Sequence, residues 1–216
     1  TPGTWAAIGC TLAAAGSYHW FCQALGTYEL LRQQQEGVDA YILLDEQAHA
    51  APAGCGGLLY FPYLMGERCP LFDADARGAF WGIDSTMDKG HFARAVLEGV
   101  AYSLRQVYDL TRSPDVGTPE YIVVCGGGSK SGLWRQILAD VFQLPVCTTG
   151  GAAEGSAYGA ALLAGVAGGF WHNTEEAAAR CRLLTRLEPC LERRDAYEKQ
   201  YARYCALNRF MTNKER

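Results

Sequence analysis

The sequence predicts an α/β fold, with a mixed sheet and flanking helices. Three observations carry that expectation. Strand-like and helix-like segments alternate from residue 121 to residue 166, the pattern of parallel strands joined by right-handed helical crossovers. Upstream, the apolar segments 57–62 and 79–83 are joined by a shorter link and read as an antiparallel meander. A chain of 216 residues, 49% hydrophobic and 19% charged, can bury a core and suits one α/β domain.

Each element has its own local reason. Trp5 to Cys10 is apolar and reads as a strand, followed by a helix from Ala13 to Leu25 that carries Tyr18, Trp20, Phe21 and Leu25. A second helix is expected from about Val38 to Ala50, with Ile42, Leu43 and Ala48 inward, ending before Pro52-Ala53-Gly54. Gly57 to Pro62 and Ala79 to Ile83 are short apolar strands, with the polar loop Gly66 to Pro70 between them. From Asp88 to Leu110 the pattern is the plainest helix in the chain. There Phe92, Val96, Leu97, Val100, Leu104 and Tyr108 recur three and four apart, and Arg94 and Glu98 form an i, i+4 pair on the wet side.

A strand at 121–125 then runs into three consecutive glycines, Gly126, Gly127 and Gly128. A helix from Ser131 to Phe142 follows, burying Leu133, Ile137, Leu138 and Val141. Pro145 to Thr148 is a strand, Gly150 to Gly155 a loop, and Ser156 to Val166 a helix of small residues expected to lie very close to its neighbours. A long capping helix, Arg193 to Met211, presents Tyr197, Tyr201, Tyr204, Leu207 and Phe210.

Bulk properties narrow the function classes. A net charge of -4 with no basic cluster gives no general attraction to nucleic acid or to an anionic membrane. No window approaches the ~18 apolar residues of a membrane span, and Thr1 to Trp5 lacks the features of a signal peptide, so a cytoplasmic protein is expected. Nine cysteines, odd in number and never spaced Cys-x-x-Cys, read as reduced thiols rather than a disulfide framework or zinc site. The chain opens in mid-pattern without an initiator Met, as a fragment or processed piece would.

The glycine run is the main candidate for chemistry. Lacking Cβ atoms, it lets backbone N–H groups approach something flat or anionic; a tight turn with no ligand is the alternative. Two phosphate-loop templates fail. Gly128-Ser129-Lys130-Ser131 places a serine between glycine and lysine where a Walker loop has none, and a dinucleotide loop would need a further Gly or Ala and an acidic ribose partner. Glu67, Arg68, Asp73, Asp75 and Arg77 share one loop, which either faces a cleft or is solvated with Asx turns; no catalytic role is assigned to it. Neither Gly-x-Ser-x-Gly nor His-Glu-x-x-His occurs. Of the four histidines, only His19, beside the small-residue turn near Gly16, is a cleft candidate.

Several segments taken in order resemble the C-terminal domain of the FGGY carbohydrate kinases: Pro62-Tyr63-Leu64-x-Gly66-Glu67-Arg68-x-Pro70, Asp73-x-x-Ala76-Arg77-Gly78, Ala93 to Ala101, Cys125 to Ser129, Trp134 to Asp140 and Gly155 to Ala161. The likeness is strongest to xylulokinases, through Trp134-Arg135-Gln136 and Glu154 to Ala161, while gluconokinases share much of the Gly66-Glu67-Arg68 region. The resemblance implies a ribonuclease-H-like lobe of the actin and hexokinase type, and transfer of the γ-phosphate of ATP, with Mg²⁺, to a sugar hydroxyl. It implies that Gly126, Gly127, Gly128, Ser129 and Ser131 lie against the adenosine, with Tyr18 and His19 across the base. Ser131 stands where some members have asparagine.

The family's catalytic aspartate, sugar contacts and phosphate turns lie mostly before the part matched here. Residues 1–216 are therefore expected to be the nucleotide-side lobe, inactive alone, with the N-terminal lobe and a small sugar as partners and no catalytic or metal-binding residue of their own. A homodimer is left open; nucleic acid and membrane are not expected as partners. The competing reading is a non-catalytic ATP-binding or assembly module on the same lobe. An independent dinucleotide oxidoreductase fits poorly, because its fingerprint is missing.

Overall fold

The computed structural model describes residues 6–112 and 117–212, with side chains to Arg209. Its elements are helices α1 (Ala14–Leu25), α2 (Thr27–Glu36) and α3 (Ala40–Ala50), strands β1 (Leu59–Phe61) and β2 (Ala79–Trp81), and the long helix α4 (Lys89–Thr111). Strand β3 (Ile122–Val123), helix α5 (Gly132–Phe142), strand β4 (Val146–Thr149) and helix α6 (Ser156–Ala167) follow. The chain closes with α7 (Thr174–Ala178), β5 (Leu183–Leu187) and α8 (Arg194–Thr212).

The sheet is mixed, as expected. β3 runs parallel to β4, with Ile122 opposite Val146, and β5 joins the other edge of β4 antiparallel, with Val146 opposite Leu187. β1 and β2 form a separate antiparallel pair, Tyr60 opposite Phe80. Strand β5, carrying the exposed Leu183 and Leu184, was not anticipated.

Helix α4 is the spine of the core. Asp88 caps it, its carboxylate accepting the His91 N–H at 3.1 Å, while the His91 ring reaches back to the Asp88 N–H. Its apolar side packs on α1, α3, α5 and β1, burying Val96, Leu97 and Val100. Gly99 is required by that closeness, since a Cβ there would lie 2.1 Å from the Tyr60 carbonyl oxygen. Helix α8 closes the far side: Tyr204 stacks on Phe61 at 4.7 Å between ring centroids, and its hydroxyl meets that of Tyr63 at 2.9 Å.

Several expectations are corrected. Arg94 and Glu98 are not on a wet face: they are 4% and 1% exposed and joined at 2.7 Å. Arg94 also donates to the Ala51 carbonyl at 3.1 Å and the Tyr197 hydroxyl at 2.7 Å, while Glu98 accepts the Gly54 N–H at 3.0 Å. Two charges on one helix face read as solvated, yet every strong partner they need is supplied from α3, α8 and the loop before β1. Helix α2 was missed because Thr27-Tyr28-Glu29-Leu30-Leu31-Arg32-Gln33-Gln34-Gln35-Glu36 is largely polar; its one fully buried side chain, Glu29, is held by Lys89 and Gln47.

In α3 the inward residues are Ala40, Leu44 and Ala48, four apart, and Ile42 is exposed. Residues 6–10 form no strand, because no neighbouring strand among the described residues pairs with them; Trp5 lies outside that range. Helix α6 is not closely packed: only Gly165 is buried and Leu163 is exposed. The expectation for Phe210 falls outside the described side chains.

Candidate functional site

The three glycines after β3 have three different surroundings. Gly126 sits at φ 79°, ψ -172°, a region only glycine adopts without strain, and its N–H donates to the Ala152 carbonyl of the second glycine loop at 2.6 Å. Gly128 is glycine because Trp134 fills the space: a Cβ there would lie 2.0 Å from the indole Cζ3. That indole is anchored by its Nε1–H donating to the Leu97 carbonyl at 3.2 Å. Gly127 has neither constraint. Its φ is unremarkable, and a Cβ on it would meet no atom within 4 Å.

Ser129 is buried and spends its hydroxyl on the turn, donating to the Gly126 carbonyl at 2.7 Å. Ser131 caps α5, its Oγ accepting the Trp134 N–H at 3.0 Å. The same Oγ donates to Asp45 Oδ2 at 2.6 Å, and the hydroxyl of Tyr18 donates to Asp45 Oδ1 at 3.0 Å. Asp45 on α3 thus joins the start of α5 to α1. Burial pushes its pKa up from the usual carboxylate value; the hydrogen bonds from Ser131 and Tyr18 oppose that shift, and Asp39 adds to it. Tyr18 is buried against Phe21 and stays a phenol, its pKa driven up by burial and then by the Asp45 charge. His19 is exposed and touches the Tyr41 hydroxyl through Nδ1 at 2.6 Å.

A cleft of about 490 Å³ opens beside the loop. Its walls include Gly126, Gly127 and Gly128, the small residues Ala14 and Ala15 at the start of α1, and the apolar side chains Val107 and Phe142. Tyr18, His19 and Ser131 do not line it. The structure therefore gathers the expected residues into two adjacent groups that share α1 and the glycine loop. One is an apolar cleft with a glycine floor. The other is a hydrogen-bonded cluster of Ser131, Asp45 and Tyr18, with His19 and Tyr41 next to it.

Asp45 and Tyr41 were missed in the sequence. The only local hint was that both lie on the predicted second helix, and no spacing rule connects Asp45 to a serine 86 positions later.

The charged loop after β1 resolves differently for each residue. Glu67 is 2% exposed and accepts from the Thr11 hydroxyl at 2.6 Å and the Leu12 N–H at 3.1 Å, tying the loop to the approach to α1. Asp73 makes the Asx turn, accepting the Asp75 N–H at 2.8 Å. A second cleft of about 570 Å³ contains Arg94, Arg193 and Gln136, but Arg94 is paired with Glu98, and Arg193 and Gln136 both reach Asp140. These three side chains are used within the protein.

The family model that describes the C-terminal domain of the FGGY family of carbohydrate kinases matches residues 1–168. The chain belongs to that family. It is 38% identical over 172 residues to the xylulose kinase of Bacillus subtilis, a match covering 79% of this chain and 32% of the relative. The gluconokinase of Bacillus subtilis is 37% identical over 145 residues, 67% of this chain and 28% of the relative. Among solved structures, ligand-bound xylulose kinase from Lactobacillus acidophilus superposes with a TM-score of 0.78 at 27% identity, covering 94% of this chain and 39% of the other. The fold is thus the actin and hexokinase-like fold of the FGGY sugar kinases, with a mixed sheet and flanking helices. The chain spans about a third of the length of the relatives it matches. No helix among the described residues is long and apolar enough to cross a membrane.

Proposed function

We propose that this FGGY chain is the nucleotide-side lobe of an ATP-dependent sugar kinase that phosphorylates xylulose or a closely related sugar. The observation that carries the reading is Gly127. Its neighbours are glycines for reasons internal to the fold, whereas Gly127 has no internal reason, borders an apolar cleft and lies four residues before Ser131. A flat purine and ribose laid over it would use that missing Cβ. Gly126, Gly128 and Ser129 hold the loop in shape beneath, and the adjacent cluster of Ser131, Tyr18 and His19, which does not line the cleft, is reached only by the part of the ligand that extends past the glycine floor.

Among the described residues no three His, Cys, Asp or Glu side chains gather where they could hold an ion. On this reading Mg²⁺ arrives on the phosphates of ATP. The acceptor sugar, the general base and the grip on the phosphates belong to polypeptide beyond this lobe, and positioning plus charge neutralisation there drive the transfer. The identities to a xylulose kinase and a gluconokinase support a sugar or sugar-acid acceptor, the first more strongly because its match is longer. Nine free thiols support a reducing cytoplasmic setting.

A coupled ADP-release screen of the intact protein against xylulose, gluconate, ribulose and glycerol tests this. Turnover highest with xylulose is expected; ATP-dependent turnover with none of them would remove the kinase reading.

A further inference from the structure

Gly127 can serve as a floor only if its loop is held at a fixed height from the opposite wall of the cleft. That wall includes Leu104 and Val107 of α4. A buried side chain that also lines the cleft, Trp134 on the first turn of α5, reaches both sides. One edge of its six-membered ring takes the place of a side chain at 128, where a Cβ would lie 2.0 Å from Cζ3 and 2.6 Å from Cε3. On the pyrrole side, Nε1–H donates to the Leu97 carbonyl at 3.2 Å. Leu97 lies seven residues before Leu104, two turns along the same face of α4. The Trp134 backbone is fixed as well, its N–H donating to Ser131 Oγ at 3.0 Å. A single rigid, planar group thus touches the glycine loop with one edge and the wall-forming helix with the other.

We propose that Trp134 is a positioning residue that sets the separation between the glycine floor and the α4 wall, and so fits the slot to the thickness of one flat ring. This rests on the nucleotide reading above. Trp134 acts through Gly128: the indole supports the loop from beneath, and the hydrogen bond to Leu97 registers that support to α4. The width of the slot is then set before a ligand arrives, and no ordering cost falls on binding. A smaller group in its place lets the loop sink toward the vacated space. A ring above it then loses contact on one side, and a gap of about 0.5–1 Å already forfeits a quarter to a half of the dispersion attraction.

Calorimetry with ADP on the intact protein tests this. Trp134→Phe keeps a buried ring but has no N–H for Leu97 and a shorter edge under residue 128. It is expected to bind ADP about tenfold more weakly, a ratio equivalent to ~1.4 kcal/mol, while the KM for sugar in the ADP-release assay stays within about twofold of wild type. In the size swap Trp134→Phe/Gly128→Ala, the alanine methyl enters the space left by the smaller ring and supports the loop again. ADP affinity in the swap should return to within about threefold of wild type. A residue that served only the core would lower the unfolding midpoint and leave ADP affinity of the folded protein unmoved in both variants. Unchanged affinity in folded Trp134→Phe, or a swap that binds ADP no better than Trp134→Phe, would overturn the role of Trp134. If Trp134→Phe does not fold, the refilled swap carries the measurement, and an affinity tenfold or more below wild type there would overturn it equally. Failure of wild type to bind ADP would overturn this inference together with the nucleotide site.

Discussion

Replacing Gly127 and Gly128 separately distinguishes a glycine kept for a ligand from one kept for packing. For Gly127→Val the fold has nothing to lose: the Cβ position is empty to 4 Å and the backbone is in no left-handed region. A change in stability within ~0.5 kcal/mol is expected. For Gly128→Ala, the new Cβ would fall 2.0 Å from Cζ3 and 2.6 Å from Cε3 of Trp134. The indole is 7% exposed and tethered to the Leu97 carbonyl, so it cannot step aside freely. Overpacking of this kind costs ~1–3 kcal/mol. With a urea dependence of about 2 kcal/mol per molar, that lowers the unfolding midpoint by roughly 0.5–1.5 M. Binding should respond in the opposite order. A valine side chain at 127 occupies the surface a base would rest on, and ADP affinity should drop about a hundredfold or more, ~2.8 kcal/mol. Gly128→Ala should keep measurable affinity in the fraction that folds. Urea titrations and calorimetry on both variants check this. Wild-type ADP affinity in folded Gly127→Val, or an unshifted midpoint in Gly128→Ala, would refute the division.

Three further outcomes follow from the core. Arg94→Met leaves the Glu98 carboxyl buried without its cation, beside the Gly54 N–H and Cys55 thiol, and should cost ~3–5 kcal/mol by chemical denaturation, with Arg94→Met/Glu98→Leu recovering much of it. Glu67→Ala removes the buried acceptor of Thr11 and Leu12 and should lower stability by ~1–3 kcal/mol; a midpoint equal to wild type would mean that the loop is not tied to α1. For Glu29, burial alone would raise the pKa, but hydrogen bonds from Lys89 and Gln47 outweigh it and hold the carboxyl below the usual value. A depressed carboxylate contributes stability above its ordinary range and loses it as pH falls through the depressed value. The stability gap between wild type and Lys89→Met should therefore be widest near neutrality and narrow on acidification, and a gap independent of pH would contradict the pairing.

Local pattern made the helices around α4, the parallel β3–α5–β4 unit and the glycine loop legible, because each depends on a period or a residue type within one short window. What stayed hidden depends on partners far apart in sequence. Asp45 carries no signal within its own stretch of sequence; Ser131 and Tyr18 close on it from two other elements. Arg94 and Glu98 looked solvated because charge pairs at that spacing on helices usually are, and only the carbonyl at Ala51 and the hydroxyl of Tyr197 reveal the buried site built for them. Residues 6–10 carried strand composition, but a strand exists only through a neighbour, and none of the described residues supplies one.

On the proposed reading the loop must meet its ligand already in shape. A flexible glycine run would pay heavily to order itself around a ligand. Here the cost is met in the fold: Gly126 is locked to Ala152, Ser129 to Gly126, and Ser131 to both Trp134 and Asp45. The backbone at Gly127 is therefore held rigid from both sides while its surface stays bare. A bare glycine in a braced loop is what a preorganised contact with a flat ligand requires, which is why Gly127→Val, and not a change at either neighbour, is the substitution that separates binding from folding.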